Sequence, residues 1–207
     1  MNRVIPRKQI LSIEDPPEKN AGLIDEFKPH IIHSYGSYLE ILFGWLDSSG
    51  EKMHLPKILG FGADGLADPV RKMIRARFGL EAFSSYNSVE AQRIAFECPE
   101  HQGLHVNEDF YVVRIVDSEG RTVPPGETGE VVVTNLLNRG TVLINYRLGD
   151  LAALIPGECS CGRSLPLMSY PVGRVDDVIR LQDGKTIHPS TIHKIIFKEP
   201  CEVLQYQ

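Results

Sequence analysis

Asp150 closes the segment Tyr146-Arg147-Leu148-Gly149-Asp150, and a carboxylate delivered by a glycine turn at a strand end can accept both hydroxyls of a ribose. The same residues also suit an ordinary β-turn. Downstream, Gly173-Arg174-Val175-Asp176-Asp177 puts one guanidinium and two carboxylates on a short connection. Those groups fit nucleotide contact or a solvated linker equally well. Upstream, Tyr86-Asn87-Ser88-Val89-Glu90 reads as a loop after a strand, with an aromatic ring and a carboxylate four positions apart. The ring can stack on a base and the carboxylate can coordinate Mg²⁺ beside phosphates. A Tyr packed on the core and a solvent-facing Glu account for the same residues.

A second group has metal-ligand chemistry. Cys159-Ser160-Cys161 can present two thiolates from one turn, and Gly162 permits the bend. Cys98, about sixty residues earlier, precedes His101 and His105. Three sulfurs and one imidazole would make a closed tetrahedral site of the structural zinc kind. Spacing leaves either histidine as the fourth ligand, and leaves buried free thiols as the alternative. Cys201 is read as a bystander.

The elements that must position these residues change character along the chain. Residues 1–20 read as a polar lead-in. A short helix over Leu23–Phe27 is closed by Lys28-Pro29. Ser37 with Glu40 three positions on is a capping-box pattern, so a helix should start there and leave through Asp47-Ser48-Ser49-Gly50. A strand over Lys57–Gly62 runs into a glycine-rich turn. Asp68 then caps a helix with Pro69 in its first turn, a Val70/Ile74/Phe78 apolar stripe and Gly79 at its end. This is an α/β pattern through Ala82–Ser84. Beyond Ile94, β-branched runs over 111–116, 129–134 and 151–155 predict an antiparallel sheet or distorted barrel. A third unit, from residue 173, begins with a strand over Val178–Leu181, an Asp183-Gly184 hairpin and a helix near Pro189.

Bulk properties narrow the classes. The 207 residues carry 22 basic and 27 acidic side chains, a net charge of -5, so no basic block exists to displace counterions from nucleic acid. No apolar run reaches membrane-spanning length, and the N-terminal residues lack the apolar stretch of a secretory signal. These features predict a cytoplasmic protein without a nucleic-acid or membrane partner. His30, His33, His54, His188 and His193 show no triad spacing, and neither a Gly-x-Ser-x-Gly elbow nor a dinucleotide fingerprint is present.

Taken together and in this order, the Tyr86–Glu90, Tyr146–Asp150 and Gly173–Asp177 segments resemble motifs of the adenylate-forming enzyme superfamily. The resemblance is nearest to the branch containing phenylacetate-CoA ligase. It extends to Gly103-Leu104-His105, Pro125-Gly126-Glu127-Thr128-Gly129-Glu130 and Cys161-Gly162-Arg163. It implies a partial adenylate-forming large domain over 21–172, mixed α/β (α+β), with the start of a small C-terminal domain over 173–207. It also implies that Tyr86 stacks on adenine with Asn87 and Ser88 beside it, and that Glu90 serves Mg²⁺ and the reacting carboxylate. Asp150 would hold the ribose, Arg174 would contact the nucleotide, and Asp176 would be the interdomain hinge. Gly62, Ala63 and Asp64 would line the adenine and acyl pocket. His105, in its Gly-Leu-His element, becomes the preferred fourth zinc ligand with Cys98, Cys159 and Cys161. The implied ligands are ATP or AMP, Mg²⁺, CoA and a small carboxylic acid.

Several positions depart from the family pattern. Asn87 replaces a Gly, Val89 a hydroxyl residue that touches phosphate, Asn145 an Arg and Val142 a Pro. No Ser/Thr/Gly-rich phosphate loop is present, since Ser48-Ser49-Gly50-Glu51-Lys52 reads as a helix exit, and the family's C-terminal lysine has no counterpart. Each preorganised electrostatic donor is worth roughly a hundredfold to a thousandfold in rate. The chain is therefore expected to resemble a ligase truncated at both ends and inactive alone. The alternative is a non-catalytic nucleotide-binding or interaction module. Self-association, or pairing with a complementing N-terminal half, is expected from the apolar surface such a truncation exposes.

Overall fold

A proline pair opens the first helix of the computed structural model, which describes residues 7–181 and 186–187. The chain divides into two compact units, Met1–Ala82 and Phe83–Gln207, each taken by itself below. In the first, α1 (Pro17–Phe27) carries proline in its opening turn, where a missing N–H is harmless. It ends on Lys28, whose left-handed backbone donates its N–H to the Ile24 carbonyl at 2.8 Å. The helix is longer than the expected Leu23–Phe27 and takes in the last residues of the expected lead-in, because Ala21 pairs with Ile24 in the core. Strands β1 (Ile31–Ser34) and β2 (Ile58–Gly62) run parallel, with Ile31 opposite Ile58. Between them in sequence, α2 (Gly36–Ser49) buries Tyr38, Leu39, Leu42, Phe43 and Leu46.

The capping box expected from Ser37 and Glu40 does not form. Tyr35 occupies the cap position without a side-chain bond. The first α2 amides are met from the loop after β2, where Asp64 Oδ1 accepts the Gly36 N–H at 2.5 Å and the Ser37 N–H at 3.4 Å. Glu40 reaches the other way and accepts the Ala67 N–H at 2.6 Å. Two carboxylates thus serve two helix starts reciprocally, across sequence rather than within one turn. The approach is close enough to require glycine at position 36, where a Cβ would lie 2.2 Å from the Gly65 carbonyl oxygen. Ala67, not Asp68, is the cap of α3 (Asp68–Phe78). Asp68 is its first helical residue, still placed to favour the positive end of the helix dipole. Ile74 is fully buried, Val70 and Phe78 pack on the same core, and Gly79 ends the helix at φ 67°.

The second unit is built from two sheets. One runs β3 (Ala82–Asn87), β4 (Arg93–Glu97), β5 (Leu104–Val106), β10 (Leu167–Met168) and β9 (Leu154–Ile155), antiparallel throughout. The other runs β11 (Gly173–Arg174), β8 (Tyr146–Ala152), β7 (Gly129–Asn135) and β6 (Tyr111–Val116). Their inner faces share a core including Ile94, Leu104, Ile115, Val131, Val133 and Met168. Two expectations change here. Tyr86 and Asn87 are the last residues of β3, not a loop after it, with a bulge between them. Tyr146–Asp150 is itself strand, not a turn leading into one. Residues 173 and 174, where a new domain is expected, continue this unit as β11 paired with β8. A small antiparallel pair, β12 (Ile179–Arg180) and β13 (Thr186–Ile187), follows. The Asp183-Gly184 turn, the helix expected near Pro189 and Cys201 lie outside the described residues. No helix among the described residues is long and apolar enough to cross a membrane.

Candidate functional site

Asp150 stands on β8 with its backbone opposite Arg174 of β11. Its neighbour Gly149 has φ 77°, and a Cβ there would come within 3.2 Å of Arg174 Nη2. Glycine is needed both for the backbone and for the guanidinium lying against it. The Asp150 carboxylate is supported on both sides. The Tyr86 hydroxyl donates to Oδ2 at 2.7 Å, and Arg174 Nε lies 3.9 Å from Oδ1 while Nη2 donates to the Leu148 carbonyl at 3.1 Å. Asp150 stays 22% exposed, so the carboxylate remains open to an incoming hydroxyl.

Burial, then the hydrogen bond to Asp150, pushes the Tyr86 phenol far above its ordinary value, so it is a fixed donor. The Tyr86 ring is only 7% exposed and packs in the core of the second unit. Four residues before Asp150 on β8, the Tyr146 hydroxyl reaches Glu90 Oε1 at 3.4 Å. The Glu90 backbone amide, then the Ser88 hydroxyl and Tyr146, hold that exposed carboxyl below its ordinary range. Glu90 also borders an open cavity of about 480 Å³, together with Val89, Phe110, Tyr111, Asn135 and Leu137. Asn87 and Ser88 bond locally: Asn87 Nδ2 donates to Ser85 Oγ at 2.8 Å, and Ser88 Oγ accepts the Ala91 N–H at 2.8 Å. Asp176 is exposed, in a turn where the Asp177 N–H donates to the Arg174 carbonyl at 3.2 Å. In the first unit, Gly62 ends β2, Ala63 has φ 71°, and Asp64 caps α2.

The cysteines converge as their chemistry suggests. The ligand atoms of Cys98, His105, Cys159 and Cys161 all lie within 4.8 Å of one another. Cys98 and Cys159 sulfurs are 3.6 Å apart, and Cys161 Sγ is 3.3 Å from His105 Nε2. A tetrahedral zinc with bonds of about 2.3 Å to sulfur and 2.0 Å to nitrogen has edges of roughly 3.5–3.8 Å, so the donor set fits the ion. His105 Nδ1 faces the Leu165 carbonyl at 3.4 Å, which leaves Nε2 as the ligand nitrogen. The backbone amide and then the guanidinium of Arg163 help hold the Cys161 thiol down at about 6. For Cys159 the Cys161 amide pulls down, but burial and the two neighbouring sulfurs outweigh it and push the thiol up to about 11. His101 is directed elsewhere: its Nδ1 meets Glu97 Oε1 at 2.8 Å and its ring stacks on Phe83.

Sequence reasoning missed Glu97. Its side chain is wholly buried, and its carboxylate accepts the Ser84 N–H at 2.6 Å, the Tyr170 hydroxyl and His101 Nδ1. The available signal was one acid inside the otherwise apolar run Ile94-Ala95-Phe96-Glu97-Cys98.

No family profile matches the chain. Among curated proteins it is 29% identical to a phenylacetate-coenzyme A ligase of Thermus thermophilus over 92% of this chain and 44% of that protein. It is 32% identical to the enzyme of the same name from Aromatoleum evansii, over 91% of this chain and 43% of that protein. The chain therefore spans less than half the length of the curated relatives it matches. Among solved structures, a 2-hydroxyisobutyryl-CoA ligase in the postadenylation state superposes with a TM-score of 0.76 at 22% identity, covering 89% of this chain and 40% of that one. An anthranilate CoA ligase in complex with anthranoyl-AMP superposes at 0.69 and 18% identity, covering 89% and 37%.

Proposed function

The chain is similar to phenylacetate-coenzyme A ligases over about nine-tenths of its length, and from that premise we propose that its second unit carries the ribose and metal side of a nucleotide site. The observation that carries this reading is the Asp150 carboxylate held between the Tyr86 hydroxyl and Arg174. Such a group accepts the two ribose hydroxyls, with Arg174 close enough to contact the nucleotide. Tyr146, whose hydroxyl reaches Glu90, lies four residues back along β8, roughly 13 Å at about 3.3 Å per residue. That is the scale from a ribose to the end of its phosphate chain, and Glu90, kept ionised, would hold Mg²⁺ there. Tyr86, buried in the core, serves as the donor on Asp150 and not as a stacking surface, and the hinge role falls to Asp176.

In the whole protein the reaction would be acid activation. A carboxylate oxygen attacks the α-phosphorus of ATP, pyrophosphate leaves, and the CoA thiol then displaces AMP from the acyl-adenylate. The acid is a small molecule, aryl or acyl. The Cys98/His105/Cys159/Cys161 cluster would hold a structural zinc that fastens the 159–161 turn to β4 and β5 and takes no part in the chemistry. Free thiols suit a reducing cytoplasmic compartment.

One observation favours a second reading for the 207 residues alone, namely nucleotide binding without turnover. Asn87 and Ser88, which the resemblance sets beside the nucleotide, make their hydrogen bonds to Ser85 and Ala91 instead, and no phosphate loop is among the residues. Calorimetry with AMP tests the site. Binding should weaken at least tenfold in Asp150→Ala, because two hydrogen bonds to a charged acceptor are lost. Equal affinity in both proteins would refute the ribose assignment. Acid-dependent pyrophosphate release by the 207 residues would refute the second reading.

A further inference from the structure

Glu97 is a carboxylate with no solvent contact in a protein whose other acids are at least partly wet at the sites described above. A buried polar group is kept where partners surround it, and three donors converge here. The Ser84 N–H comes from β3, two residues before Tyr86. The Tyr170 hydroxyl comes from the β10–β11 connection, four residues before Arg174. His101 Nδ1 comes from the turn after β4. The first two segments are the ones that deliver the two groups flanking Asp150. Tyr86 approaches Oδ2 and Arg174 approaches Oδ1, and a single side chain ties the Ser84 backbone of one segment to the Tyr170 hydroxyl of the other.

The cross-strand register reinforces the link. Ser85 lies opposite Phe96 and Tyr86 opposite Ala95, so β4 carries Glu97 directly alongside the strand that presents the phenol. The connection is held again at Ser169, whose hydroxyl accepts the Ala153 N–H at 3.0 Å and whose own N–H donates to the Ala153 carbonyl at 2.8 Å.

We infer that Glu97 is a positioning residue for the ribose-binding carboxylate, setting the separation of Tyr86 and Arg174 across Asp150. The inference rests on the ribose reading of Asp150. Glu97 touches no nucleotide and acts through the two segments it joins. Its neighbour Cys98 belongs to the metal cluster, but the carboxylate bonds to Ser84, His101 and Tyr170, none of which is in that cluster's ligand set. Loss of the positioning function should therefore leave the metal in place.

The test uses the full chain, AMP and 2′,3′-dideoxy-AMP in calorimetry, with zinc content measured on each protein. The unaltered chain should prefer AMP, and Asp150→Ala should abolish the preference. In Glu97→Gln the amide must turn an N–H toward one of three donors. AMP affinity should then fall roughly three- to tenfold, the range carried by one misplaced hydrogen bond. Dideoxy-AMP affinity should hold, so the preference shrinks, and zinc content should stay unchanged. Tyr170→Phe removes one donor, leaves the carboxylate and should move the preference the same way by less, which keeps the test available if Glu97→Gln fails to fold. Unchanged affinity and preference in the folded variants would overturn the inference. An equal loss for both nucleotides would also overturn it, since that is what general loosening does. No ribose preference in the unaltered chain, with Asp150→Ala identical, would instead defeat the ribose reading and this inference with it.

Discussion

Tyr86→Phe removes one oxygen from the best-defined contact of the site and leaves the ring in its core position. Asp150 would then keep only Arg174, whose Nε at 3.9 Å is beyond hydrogen-bond range. A hydrogen bond to an ionised acceptor contributes about 1.5–3 kcal/mol. The carboxylate retains 22% exposure, so water recovers part of that and the loss should be about 1–1.5 kcal/mol. For a unit of this size the melting temperature should fall by roughly 3–6 °C. A double-mutant cycle of Tyr86→Phe with Asp150→Ala, followed by chemical denaturation, isolates the pair, and a coupling of about 1 kcal/mol is expected.

The alkaline limb reads the burial of the phenol, with the Asp150 bond as a smaller contribution. Burial first and Asp150 second raise the phenol's pKa in the folded chain above its ordinary value of 10.0. Above pH 10 the folded protein therefore holds a proton that the unfolded chain releases. The contribution is fully present below pH 10 and is lost as pH rises further, by up to about 1.4 kcal/mol per pH unit. Tyr86→Phe should lack that component of the slope. A coupling below about 0.3 kcal/mol would show that the two side chains are merely adjacent.

Elemental analysis of protein purified without a histidine tag should find about one zinc per chain, and a strong chelator should lower the melting temperature. Cys98→Ser should remove the metal, whereas His101→Ala should retain it. Replacing Asp64 with Ala should destabilise the first unit by about 1 kcal/mol through the uncapped α2 amides, measured by denaturant midpoint, with zinc content unaffected. Gly149→Ala should cost about 1–2 kcal/mol from its left-handed backbone and should also weaken AMP binding by displacing Arg174.

The site was legible where chemistry depends on residue type and not where it depends on partners distant in sequence. Asp150, Arg174 and the cysteines announce themselves by motif, and the pairing of Asp150 with Arg174 follows once the strands form. The donor on Asp150 Oδ2 did not, because Tyr86 is 64 positions away and looked like a loop residue next to Asn and Ser. A bulge follows it, one residue before β3 ends. Spacing alone left His101 and His105 equivalent. Glu97 resolves them physically by drawing His101 aside, while His105 faces Cys161. Ser37 and Glu40 mimicked a local cap because the pattern is short, and the true partners Asp64 and Ala67 come from a loop whose proximity only the β1–β2 pairing creates. Helix cores and β-branched strands were readable because burial imposes periodicity; strands as short as β5, β9 and β10 impose almost none.

The joining of Cys98 to Cys159, 61 residues apart, has a consequence for how the second unit assembles. The chain between those two sulfurs contains β6, β7 and β8, so an ion held by both ends closes a ring around three of one sheet's four strands. If the ion binds early, that sheet forms inside a tethered loop whose ends need no further search, and the contacts around Asp150 become shorter-range. If it binds late, the sheet must close first and the ion only locks the result. Refolding rates measured with zinc present from the start or added afterwards would therefore report the order in which the unit is put together.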